Sequence, residues 1–146
     1  MVLFFDGASK GNPGQAGGGG IIFEPSGNPH LSYAWGLGHT SNNQAEYLAL
    51  WQGLNQARKL NIQKITIFGD SKIIVKTLHT KKGPTDINLG QTYRKVLLLL
   101  THFSNHKAYH VLRNLNNLVD AEANRGTSLT KSQLMVNVEI SNYLIP

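Results

Sequence analysis

Hydrophobic positions along the chain fall into short runs and helical periods separated by turn-forming clusters. Residues 2–5 (VLFF) form a continuous apolar run ending at Asp6, which predicts a short buried strand. The stretch GASKGNPGQAGGGG that follows concentrates Gly, Asn, Pro and Ser, and reads as a loop with a tight glycine turn. Residues 20–23 and 31–37 predict two more strands around the turn cluster PSGNP, an antiparallel meander. Over 44–60 the period changes. Ala45, Leu48, Ala49, Leu54, Ala57 and Leu60 recur at helical spacing. The run ITIF at 65–68 predicts a strand ending in Gly69 and Asp70, with a helix over 71–78. Beyond KKGP at 81–84, a helix is expected over 89–103, a strand over 109–112 and a last helix over 117–124. From residue 128 onward only weak alternation appears, at 136–140, with no assigned role.

The order β, β, β, α, β, α, α, β, α predicts an α/β fold, a mixed sheet with helices on its faces. The strands ending at Asp6 and Asp70 are expected as parallel neighbours, and sites in such sheets form at the carboxyl ends of the strands. A length of 146 residues with 40% hydrophobic content fits one compact domain. With no cysteine, disulfides, thiol nucleophiles, cysteine zinc sites and iron–sulfur clusters are excluded. The longest apolar runs fall far short of the roughly 20 residues of a membrane span, and the N-terminus has no signal-peptide layout. A soluble, intracellular protein, nuclear or cytoplasmic, is therefore expected.

Fourteen basic against eight acidic side chains leave a formal charge of +6, which favours a polyanionic partner. The basic residues are scattered, so any binding surface is assembled by folding. The acids are Asp6, Glu24, Glu46, Asp70, Asp86, Asp120, Glu122 and Glu139. Taken singly, several have structural explanations: Asp6-Gly7 as a turn, Asn43-x-x-Glu46 as a capping box, Asp70-Ser71 as a helix cap, and Asn117-x-x-Asp120 as a weaker box. Taken jointly, Asp6, Glu46, Asp70 and Asp120 fall where one rim of the sheet would gather them. Four converging carboxylates repel unless a hard divalent cation such as Mg²⁺ or Mn²⁺ joins them. Two such ions about 4 Å apart form the usual clamp for in-line displacement at phosphorus. The glycine-rich stretch contains no phosphate-loop or dinucleotide fingerprint.

Four blocks, FFDGASKGNPG, SNNQAEYLAL, FGDSKIIV and HVLRNLNNLVDAEAN, resemble the ribonuclease H family, in its plant-type, retroelement-like branch. The resemblance covers a ribonuclease H domain over 1–127 and leaves 128–146 as a C-terminal extension. It implies a mixed five-stranded sheet flanked by helices, and divalent-metal-dependent hydrolysis of the RNA strand of RNA/DNA hybrids. The products it implies carry 5′-phosphate and 3′-hydroxyl ends. Asp6, Glu46, Asp70 and Asp120 become the metal-binding, catalytic carboxylates for two Mg²⁺ ions, with Mn²⁺ as a substitute. His110 matches a family histidine that assists proton transfer or product release. Asn12, Asn43 and Ser71 match positions near the hybrid, where amides can read the 2′-hydroxyl. Arg113 and Asn116 match a pattern that contacts phosphate or the catalytic loop. The chain departs from the plant pattern at Leu112, Asn114 and Val119, and its 80–88 connection carries Lys81 and Lys82 but no long basic protrusion. Trp35 and Trp51 offer aromatic surface but suit a core equally. The expected assembly is a monomer or one domain of a larger polypeptide. The alternative is a hybrid-binding module without useful turnover.

Overall fold

A computed structural model of the chain describes residues 1–138. The chain runs β1 (Val2–Gly11), β2 (Gly14–Phe23), β3 (Pro29–Thr40), α1 (Asn42–Lys59), β4 (Lys64–Gly69), α2 (Lys72–Thr80) and α3 (Ile87–Leu100). It then continues through β5 (Asn105–His110), a 3₁₀ turn (Arg113–Leu115), α4 (Asn117–Thr127) and β6 (Leu134–Val138). Among the described residues one sheet has the order β5-β4-β1-β2-β3-β6. β1 pairs parallel with β4, and β4 with β5, while the β1–β2, β2–β3 and β3–β6 pairs are antiparallel.

The helices begin where local chemistry satisfies their first N–H groups. Ser41 caps α1 by accepting from the Gln44 N–H at 3.2 Å, and Asp86 caps α3 through the Leu89 N–H at 2.9 Å. Arg58 and Lys59 in the last turn of α1 complement its dipole. Leu3, Phe5, Ile22, Leu31, Tyr33, Leu50, Leu54, Ile67 and Val96 are fully buried in one core. Each such side chain contributes about 1.5–3 kcal/mol by leaving water. Trp35 and Trp51 stack on one another at 5.9 Å, which explains both as packing between β3 and α1.

The largest departure from the sequence reading lies at the glycines. β1 continues through Asp6 to Gly11, and the whole of GQAGGGG is strand β2. A Cβ at Gly17 would stand 2.3 Å from the Thr127 N, and one at Gly19 would stand 2.5 Å from the Ala123 N. These glycines let the backbone of α4 lie directly on the backbone of β2, so their density marks a close approach and not a turn. A sixth strand, β6, joins the five expected. Its residues 136–138 cover part of the weak alternation, and Glu139 and Ile140 lie outside the described residues. The strand expected at 109–112 sits at Asn105–His110 instead. This polar edge strand buries only Ala108, so its apolar signal is too weak to place it.

Candidate active site

The parallel ladder between β1 and β4 ends at the pair Phe5–Gly69, and the next residue on each chain is an aspartate, Asp6 and Asp70. Asp6 therefore sits within β1, still paired with Gly19 of β2, and not in a turn. Glu46 arrives from the first turns of α1, which is seated against β1 at Gly7. A Cβ there would lie 2.4 Å from the Glu46 N and 2.5 Å from the Ala45 C. With Ser41 as the cap of α1, the capping-box reading of Asn43 and Glu46 does not hold, and Glu46 is released to face Asp6. Ser71 does cap α2, accepting from the Ile74 N–H at 3.4 Å. Asp120 comes from the first turn of α4.

One ligand oxygen from each of Asp6, Glu46 and Asp70 lies within 4.8 Å of the others. Asp6 is 5% exposed and Glu46 8%, while Asp70 is half-buried and Asp120 exposed. A cleft of about 320 Å³ is lined by all four carboxylates together with Gly7, Ala8, Ser9, Asn42, Asn43, Ser71 and Arg113. Burial pushes the Asp6 carboxyl up to about 7; the hydrogen bond from Glu46 offsets part of this, and the charges of Asp70 and Asp120 add to it. Burial likewise holds Glu46 well above the usual carboxylate range, reinforced by Asp6 and Asp70. Asp6 accepts from the Gly7 N–H at 2.9 Å, whereas the buried Oε2 of Glu46 has no hydrogen-bond partner. Among the described residues no lysine or arginine forms an ion pair with any of the four.

Buried carboxylates without a counter-charge are costly unless they are protonated or meet a cation. The orphaned Glu46 oxygen and an all-oxygen donor set fit a hard divalent cation, so this cluster can bind metal. The remaining sequence candidates divide. Asn43, Ser71 and Arg113 line the cleft, and Asn12 sits at its edge, where Oδ1 accepts from the Asn42 N–H at 3.1 Å. His110 is exposed at the end of β5, in register with Gly69, and is not part of the cleft lining. Asn116, expected to contact phosphate or the catalytic loop, lies against Asp70. It is 1% exposed, and its Nδ2 donates to the Phe5 carbonyl and to Asp70 Oδ2, each at 3.1 Å. Sequence reasoning missed Asn42 in the cleft and Asn124, which donates to Asp120 Oδ2 at 3.1 Å. Its four-residue spacing from Asp120 was the available signal.

A family profile described as Reverse transcriptase-like matches residues 4–126. Ribonuclease HI of Halobacterium salinarum is 36% identical over 121 residues, which cover 83% of this chain and 61% of that protein. The chain thus spans about three fifths of this curated relative. The crystal structure of RNase H1 from H. salinarum NRC-1 superposes with a TM-score of 0.82 at 34% identity, covering 86% of this chain and 95% of that one. LC11-RNase H1, isolated from compost and solved in complex with an RNA/DNA hybrid, superposes at 0.81 with 25% identity, covering 86% and 95%.

Proposed function

The chain belongs to the reverse transcriptase-like, ribonuclease H family, and from that premise we propose that it is an endonuclease hydrolysing the RNA strand of RNA/DNA hybrids with divalent cations, leaving 5′-phosphate and 3′-hydroxyl ends. The observation that carries this reading is the meeting of four carboxylates from β1, α1, the end of β4 and α4 in one cleft of a chain with net charge +6. Their only evident use together is to hold cations against a polyanion.

Asp6, Glu46, Asp70 and Asp120 would hold the metal, two Mg²⁺ ions with Mn²⁺ as a substitute. When bound, such ions supply Lewis acidity at the scissile phosphate and offset the charge that develops on the leaving oxygen. The chain's own groups do the rest. The guanidinium of Arg113 lines the cleft and suits a phosphate oxygen through paired N–H donors. Asn43 lines the cleft and Asn12 lies at its edge, and the amide of each is able to exchange hydrogen bonds with a 2′-hydroxyl. Ser71 lines the cleft while its hydroxyl caps α2, so it fixes the floor on which the hybrid rests. His110, exposed at the end of β5, is free to move a proton at the margin of the cleft or to assist product release. The protein acts as a monomer or as one domain of a longer polypeptide, in keeping with the greater length of the halobacterial relative.

Cleavage of a hybrid labelled on its RNA strand tests the proposal, with Mg²⁺, Mn²⁺ or chelator and with Asp70→Asn in parallel. The expected result is cutting of RNA only within the hybrid, abolished by chelator and reduced at least about 100-fold in the variant, since metal stabilisation of the transition state is worth several kcal/mol. Hybrid binding without any metal-dependent cutting would overturn the enzyme reading in favour of a binding module.

A further inference from the structure

We propose that Asn116 and Asn124 are positioning residues that set Asp70 and Asp120 in the orientation that receives a divalent cation; this rests on the metal-binding reading above. The two asparagines stand four residues before and four after Asp120, at the start and in the body of α4.

Asn116 occupies the N-cap of α4, where an asparagine ordinarily turns its side chain back onto the first helical N–H groups. Here it makes no side-chain cap. Its Nδ2 bonds the carbonyl of Phe5 and Oδ2 of Asp70, at the point where the β1–β4 ladder stops. The amide thereby replaces the next rung of the ladder and fixes the separation of the two chains that carry Asp6 and Asp70. A residue that gives up its helix cap for this contact, while leaving its own Oδ1 buried without a partner, is placed for the carboxylate and not for the helix. Through its backbone carbonyl the same residue accepts from the Asp120 N–H at 2.9 Å. Asn124 completes the arrangement from the other side, donating from Nδ2 to Asp120 Oδ2 at 3.1 Å and to the Asp120 carbonyl at 3.0 Å. Each amide engages one carboxylate oxygen.

The choice of an amide has a physical reason. A lysine or arginine would orient a carboxylate and also neutralise it, competing with the cation. A neutral N–H donor fixes the side chain and leaves its full charge in place. α4 therefore acts as a frame that orients two ligands from one helix.

Thermal unfolding of the full chain during Mg²⁺ and Mn²⁺ titration tests this independently of cleavage. The variants are Asn124→Ala and Asn116→Asp, the second keeping the shape while losing both donated bonds. Each is expected to move the cation concentration at half-maximal stabilisation upward by about 10- to 100-fold. Steady-state cleavage should show a fall in kcat with KM for the hybrid nearly unchanged. Asn124→Gln, which retains a donor, should recover part of the loss. Asn124 is exposed, so its alanine variant folds and decides the matter even if Asn116→Asp does not. Wild-type midpoints and kcat in Asn124→Ala would overturn its positioning role, and the same result in a folded Asn116→Asp would overturn that of Asn116. A wild-type protein whose stability ignores both cations would overturn the metal-binding reading itself, and the inference with it.

Discussion

Asparagine at position 6 would remove charge from the most crowded carboxylate of the cleft while preserving its shape. Asp6 is 5% exposed, faces Glu46 and Asp70, and has its carboxyl raised from 3.8 to about 7, chiefly by burial. In the absence of metal, the folded protein therefore holds this proton more tightly than the unfolded chain does. The stability that Asp6 confers is full below pH of about 4 and is lost as pH rises through 7. The whole displacement corresponds to about 4 kcal/mol, of which roughly 2–3 kcal/mol falls between pH 5 and 8. At about 2–4 °C per kcal/mol for a chain near this size, the wild-type Tm in chelator should fall by about 5–10 °C over that range. Asp6→Asn should remove most of this slope and, because the whole of about 4 kcal/mol is lost by pH 8, raise the metal-free Tm there by about 8–16 °C, while cleavage is lost. Thermal unfolding of both proteins in chelator at pH 5 and pH 8, repeated with Mg²⁺, measures the effect. The difference between wild type and variant at each pH isolates the contribution of position 6. Added cation should restore the wild type at pH 8 and leave the variant largely unchanged. Equal Tm values for the two proteins at pH 8 in chelator would refute the idea that this cluster stores unfavourable charge awaiting a cation.

Gly7→Ala places a methyl group 2.4 Å from the Glu46 N, so α1 must lift off β1 by about 1 Å at a cost of about 1–3 kcal/mol. A lowered Tm and a loss of cleavage near 100-fold are expected, since displacements of that size misalign reacting groups. Unchanged Tm and turnover would show that the helix start is not seated there. Ending the chain after Gln133 removes β6 and uncovers the β3 edge from Leu31 to Trp35. Thermal unfolding should show a Tm several degrees lower and light scattering should show more self-association. A truncated protein equal to the full chain in both would mean that β6 adds no stability.

Much of this molecule was legible in the sequence because it depends on local patterns. The run ITIF followed by Gly69 and Asp70 placed a strand end correctly, and the helical period over 44–60 placed α1 within two residues. The four blocks that carry Asp6, Glu46, Asp70 and Asp120 singled out the carboxylates, and the structure gathers all four in one cleft. Asn116 was singled out by its block but its bond to Asp70 was not, because a hydrogen bond across 46 residues leaves no periodic trace, and Asn124 was missed because a four-residue spacing on a polar helix face is commonplace.

The sequence by itself determined which residues can bear charge and which segments favour strand or helix, since side-chain chemistry and hydrophobic period act over a few residues. Tertiary structure alone decided that the glycines of β2 form a bed for α4, that β6 closes the edge of β3, and that Asn116 turns inward to hold Asp70. Those outcomes depend on which backbones approach one another, and therefore on burial and pairing between segments far apart along the chain. The charge of the cleft belongs to both levels. The acids are written in the chain, and only their shared burial pushes the Asp6 carboxyl up to about 7 and makes a cation their natural partner.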